Sequence, residues 1–144
     1  MSAENGSAVI GVVVVAHFGI AQEYQRVVEA ILRAPAPHMR AVSVSHEDDP
    51  DAIMRKVSTA VREVDRGRGV LILTDMFGGT PSNVSLSLLE EGKVEVVSGF
   101  NLPMLLKVAT CREAKPIGEL AAFLRKYGAD HIHVASHLLA ERKE

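Results

Sequence analysis

The chain has one cysteine and no tryptophan, and aromatic residues make up only 4% of its 144 residues. A lone cysteine, Cys111, excludes an internal disulfide and a zinc site built on cysteines, which fits a reducing compartment. Positive charge is not in excess: 16 basic against 18 acidic side chains leave a net charge of −2. That balance argues against a protein built to wrap nucleic acid. Long hydrophobic runs are missing too. Ala8 to Ala16 falls far short of the ~20 residues a membrane span needs. The first basic residue, Arg26, lies beyond that run, so the pattern of a signal peptide is not met. A cytoplasmic location with no membrane insertion is expected.

Several chemical signatures are absent. No G-x-x-x-x-G-K-[ST] loop occurs, no G-x-G-x-x-G follows a strand, and no G-x-S-x-G elbow is found. ATP binding of the P-loop type therefore lacks support. What is present describes one folded domain: 47% hydrophobic and 24% charged residues, in a chain long enough to bury about 70% of its unfolded surface. The domain is placed at residues 8–137, with tails at 1–7 and 138–144.

Val9 to Val15 is β-branched apart from Gly11, with no polar alternation, as expected of a strand buried on both faces. Ile20, Tyr24, Val27, Val28 and Ile31 then mark one face of a helix, which Ala34-Pro-Ala-Pro-His38 stops. Met39 to Ser45 reads as a second strand. Asp49-Pro50 reads as a cap with proline in the first turn, opening a helix that Gly67 and Gly69 follow. Val70 to Thr74 is a third strand. Thr80-Pro81 repeats the capping signature for a helix through about Leu89. Lys93 to Ser98 is a fourth strand, and helices are expected over Leu102 to about Cys111 and Ile117 to Tyr127, the latter closed by Gly128. His131 to Ser136 reads as a last strand. The alternation predicts an α/β domain, doubly wound, with a mostly parallel sheet and helices on both faces.

In such a sheet the second and third strands flank the first, so ligands bind at the carboxyl ends where the chain order reverses. Ala16-His17-Phe18-Gly19 follows the first strand, and Asp75-Met76-Phe77-Gly78-Gly79-Thr80 follows the third. His17 and Asp75 are thereby brought face to face. An imidazole oriented by a carboxylate can act as a nucleophile. Gly78, Gly79 and Thr80, at a helix start, would offer N–H groups to an anion. The plainer alternative is that His17 merely ends a strand and Asp75 caps a turn. Phe18 and Phe77 would put apolar rings on the rim, which suits a protein partner. His131 and His133 share a face at strand period but read as an edge strand rather than a metal site. His38, His46 and His137 read as loop or end residues. The acids Glu47, Asp48, Asp49 and Asp51 read as a helix start. No metal site is expected.

These residues resemble the IIA component of the mannose class of the bacterial phosphoenolpyruvate:sugar phosphotransferase system. The resemblance runs from Val9 to about Ser136. It rests on the first strand ending in His17, on Leu73-Thr-Asp-Met-Phe-Gly-Gly-Thr-Pro-Ser-Asn83, and on Ser98-Gly-Phe-Asn-Leu-Pro-Met-Leu105. It implies that His17 accepts a phosphoryl group from the phosphohistidine of the carrier HPr and passes it to a histidine of a IIB component, a relay that needs no nucleotide, metal or other cofactor; with no linker to a fused IIB in the sequence, that acceptor is expected on a separate chain. It implies that Asp75 orients the ring, and that Gly78, Gly79, Thr80 and Ser82 hold the phosphate. Phe18, Phe77 and Met104 are assigned to partner contact. It also implies a homodimer that exchanges a final antiparallel strand. One position departs from the family's pattern, because Phe18 stands directly after the histidine where members commonly have glycine. Two other roles remain open at this point: a regulatory module whose phosphorylation state is read by a target, and the related IIA-like subunit of a dihydroxyacetone kinase. The Asn101 to Leu105 stretch favours the mannose class.

Overall fold

The computed structural model describes residues 9–111 and 115–143; the expected tail at 1–7 lies outside them. Strands β1 (Gly11–His17), β2 (Met39–Val44), β3 (Val70–Thr74) and β4 (Val94–Ser98) form one sheet in the order β2-β1-β3-β4. All neighbouring pairs are parallel. The helices are α1 (Ile20–Leu32), α2 (Pro50–Val64), α3 (Thr80–Leu86), α4 (Leu102–Thr110), α5 (Ile117–Asp130) and α6 (Ala135–Lys143).

The sheet explains the unbroken apolar run of β1. Successive side chains point to opposite faces, and both faces of this strand are covered. Val12, Val14 and Ala16 pack with Val28, Leu105 and Leu124 of α1, α4 and α5. Val13 and Val15 pack with Ile53, Val57 and Val64 of α2. β4 is half-buried along its whole length, as suits an edge strand. The central strands therefore read as continuous apolar sequence.

Local chemistry accounts for most boundaries. Asp49 caps α2 as expected, its carboxylate accepting the Ala52 N–H at 3.3 Å with Pro50 in the first turn. Asn101 caps α4 by accepting the Met104 N–H at 3.0 Å. Its amide also donates to the Gly128 carbonyl of α5 at 2.8 Å. One side chain thus starts a helix and ties it to the next.

Four expectations need correction. Thr80 does not cap α3: Gly79 holds that position at φ 88° and ψ 172°, and Thr80 is already helical. That helix ends at Leu86, short of Leu89. Gly128 does not end α5, which runs on to Asp130. A β-carbon there would come within 2.7 Å of Met104 Cε, so this glycine serves the close packing of α5 on α4. The strand expected over His131–Ser136 is not formed. His131 ends α5, residues 132–134 lack regular structure, and Ala135 and Ser136 belong to α6, which continues through most of the expected tail. A strand must hydrogen-bond to a neighbouring edge, and this segment pairs with no strand among the described residues.

Candidate active site at the carboxyl ends of β1 and β3

The strand order puts the reversal point between β1 and β3. There the β1 end delivers His17 and the turn after β3 delivers Asp75. The His17 Nδ1 and the Asp75 Oδ2 are 2.8 Å apart. The same oxygen accepts the backbone N–H of His17 at 3.1 Å, and Oδ1 accepts the Met76 N–H at 3.1 Å. A carboxylate accepts and never donates, so Nδ1 carries the proton and Nε2 of the neutral ring keeps its lone pair. The pair is partly sheltered, with side-chain exposures of 30% for His17 and 15% for Asp75.

Gly79 forms the floor beside the ring. A β-carbon on it would stand 3.5 Å from both Cε1 and Nε2 of His17, so the free edge of the imidazole faces this turn. Gly78 and Gly79 have φ of 87° and 88°, a region L side chains rarely adopt. Thr80 follows at the helix start. Ser82, one turn in, is fully buried, and its hydroxyl has no hydrogen-bond partner among the described residues. Thr74, Gly99 and Phe100 knit the two carboxyl-end loops together. The Thr74 carbonyl accepts the Gly99 N–H at 2.9 Å and the Phe100 N–H at 3.3 Å.

The rim is apolar. Phe77 is 74% exposed, and Phe18 and Met76 are also open to solvent. Met104 is different: it is only 4% exposed and belongs to the core, so it is not a surface contact. Its place in a helix start behind Asn101 turns it inward. Phe18 adopts φ 51°, a left-handed conformation that explains why glycine would suit the position after the histidine.

Sequence reasoning passed over His46. A cleft of about 360 Å³ beside His17 is lined by Val44, Ser45, His46, Asp48 and Thr80 among others. The signal was available in the strand order, since β2 pairs with β1 and Val44 is in register with His17. The acids near His46 behave as a helix start, with Asp48 accepting the Ser45 N–H at 2.8 Å. Among the described residues no group of three or more His, Cys, Asp or Glu side chains is arranged to hold a metal. No helix among them is long and apolar enough to cross a membrane.

Comparison with known proteins places this geometry in a family. The model of the family described as "PTS system fructose IIA component" matches residues 11–124. The sorbose-specific EIIA component of Lacticaseibacillus casei is 30% identical over 116 residues, covering 80% of this chain and 83% of that protein. The fructose-specific EIIA component of Bacillus subtilis is 32% identical over 92 residues, 63% of each chain. Among solved structures, the mannose/sorbose-specific IIA subunit from Enterococcus faecalis is similar with a TM-score of 0.77 and 26% identity, covering 88% of this chain and 94% of that one. With His17 and Asp75 paired at the reversal point of a sheet shared with these proteins, the chain belongs to the mannose-class IIA components of the sugar phosphotransferase system.

Proposed function

We propose that this chain is a phosphocarrier whose His17 takes a phosphoryl group from the phosphohistidine of HPr and hands it to a histidine of a IIB component. The observation that carries the reading is the 2.8 Å contact of His17 Nδ1 with Asp75, which leaves Nε2 free at the Gly79 turn. In the step, the Nε2 lone pair attacks phosphorus and forms the new P–N bond. The P–N bond to the donor ring breaks, and its electron pair returns to that ring. No proton has to move. His17 becomes cationic, and Asp75, accepting from Nδ1, stabilises that charge. Transfer to the acceptor repeats the step in reverse.

The phosphoryl group would lie against Gly78, Gly79, Thr80 and Ser82. Positive-φ glycines let backbone approach an anion closely, and the unpaired Ser82 hydroxyl is suited to accept a partner in the loaded state. Exposed Phe18, Met76 and Phe77 give a docking protein an apolar rim around the polar centre. The carrier would work in the cytoplasm, as a homodimer in which the irregular segment 132–134 between α5 and α6 meets the other chain. Ile132 and Val134, both exposed, support that assembly. The test is incubation with phosphoenolpyruvate, enzyme I and HPr, followed by mapping of acid-labile phosphate. Label on His17 Nε2, lost in His17→Ala, is the expected result. Label on another histidine, or on Asp75, would overturn the assignment.

A further inference from the structure

His46 lines the same cleft as His17, in a loop that the sequence motifs do not cover. His46 lies two residues beyond β2, whose last residue Val44 is in register with His17. The cleft they share is lined also by Thr80, Ser45 and Asp48. Its geometry is well tied. Asp48 accepts the Ser45 N–H at 2.8 Å and donates its own N–H to the Ser45 carbonyl at 3.2 Å. The Phe18 N–H donates to the Val44 carbonyl at 2.8 Å.

Phe18 supplies the second observation. It is a non-glycine residue at φ 51°, and its side chain is mostly exposed, so no core contact requires a phenylalanine there. What the ring does touch is His46, edge-on at 5.1 Å between centroids and 78° between planes. An aromatic residue in the left-handed region directly after His17 thus packs its ring edge-on with a second imidazole on the same cleft.

From this we infer that His46 contacts the phosphoryl group, its imidazole donating a hydrogen bond to an oxygen of the phosphate carried on His17. The inference rests on His17 being the phosphorylated residue. The phosphoryl group brings up to two negative charges and three acceptor oxygens. Gly79 and Thr80 lie on one side of it. Among the residues lining the cleft, Asp48 offers only acceptors, one of them engaged with Ser45, and His46 is the one besides His17 that can become cationic. The charged groups around it are His17 with its partner Asp75, Glu47 and Asp48 on its own loop, and Lys56 of α2, 3.9 Å from Asp48.

The test measures how label divides at equilibrium between HPr and the full chain, for wild type, His46→Gln and Phe18→Leu. A contact made only in the phosphorylated state raises the chain's share. Wild type is expected to hold about threefold to tenfold more label relative to HPr than His46→Gln. Phe18→Leu, which keeps apolar bulk but loses the ring edge, should fall between the two. The imidazole resonances of His46 should also move when His17 is phosphorylated. Equal partition for wild type and His46→Gln, or unmoved His46 resonances, would overturn the inference. Wild type that takes no label on His17 would instead overturn the phosphocarrier reading beneath it. His46 is exposed, so circular dichroism should find the Gln variant folded.

Discussion

One carboxylate oxygen, Oδ2 of Asp75, accepts both the ring Nδ1–H and the backbone N–H of His17, at 2.8 and 3.1 Å. The side chain and the main chain of His17 are therefore held by a single atom from the neighbouring loop. The arrangement fixes the tautomer as well as the position of the ring. It also sets a demand that an amide cannot meet. Oδ1 accepts the Met76 N–H while Oδ2 faces His17, so both ends must be acceptors.

Asp75→Asn follows from that demand. Whichever way the amide turns, its NH₂ meets a donor, either Met76 N–H or His17. If the NH₂ faces the ring, Nδ1 must accept and the proton moves to Nε2, the atom that should attack. Hydrogen bonds to charged groups contribute about 1.5–3 kcal/mol, so transfer through His17 is expected to slow about tenfold to hundredfold with the fold retained. Rapid-quench transfer from labelled HPr measures it. A folded Asn variant with an unchanged rate would remove Asp75 from the mechanism.

The lattice of the fold was legible because β1 and β3 are buried on both faces, and such strands write themselves as unbroken Val, Ile and Leu. Order followed from handedness, and the pairing of His17 with Asp75 followed from order. Three readings that fell short share an origin: they concern residues whose role is set by a distant neighbour. Gly128 looks like a helix stop in sequence, but it sits opposite Met104 and Asn101 and permits two helices to approach. Met104 looks like a surface anchor within a motif, but the Asn101 cap turns it into the core. His46 lies 29 positions from His17 in sequence (46 minus 17) and carries no motif of its own. Only the β1–β2 register brings it to the same cleft.

Gly79 should be intolerant of a side chain. At φ 88° and ψ 172° it occupies a region that is essentially glycine-only, and forcing an L residue into it costs about 1–3 kcal/mol. Gly79→Ala is expected to lower stability by that amount in a urea titration and to slow transfer, because any shift of this turn displaces the floor under His17. Gly118 offers the opposite sign. It lies in α5 without a positive φ and with open space around the Cβ position. Gly118→Ala should stabilise by about 0.5–1 kcal/mol. Similar losses in the two variants would contradict the backbone argument.

Asn101 can be dissected by two substitutions. Its carbonyl oxygen caps α4, and its amide nitrogen holds Gly128 of α5. Asn101→Ala removes both and should cost about 1–3 kcal/mol. Asn101→Asp keeps the cap acceptor but loses the donor to Gly128, so its loss should be smaller than that of Ala at neutral pH. Transfer rates in the folded variants should stay near wild type, since neither bond touches His17. A transfer defect in Asn101→Asp larger than its stability defect would move this residue from scaffold to site.

The last expectation concerns assembly. Residues 132–134 follow α5 without regular structure, and Ile132 and Val134 are 72% and 56% exposed. In an extended segment these two share a face, with His131 and His133 on the other. Leu138 and Leu139 of α6 are exposed beside them. The outer edge of β4 pairs with no further strand among the described residues, and unpaired edges are usually covered. A second copy of this chain would cover both features at once. In a monomer, Ile132→Asp is a surface change worth less than about 0.5 kcal/mol. In a dimer it buries a charge against the partner and should separate the two chains. Light scattering is expected to show a wild-type dimer and an Ile132→Asp monomer. Thermal unfolding should rise with concentration for wild type, because association and folding are linked. A wild-type monomer whose melting temperature is independent of concentration and unmoved by Ile132→Asp would rule out the exchanged assembly.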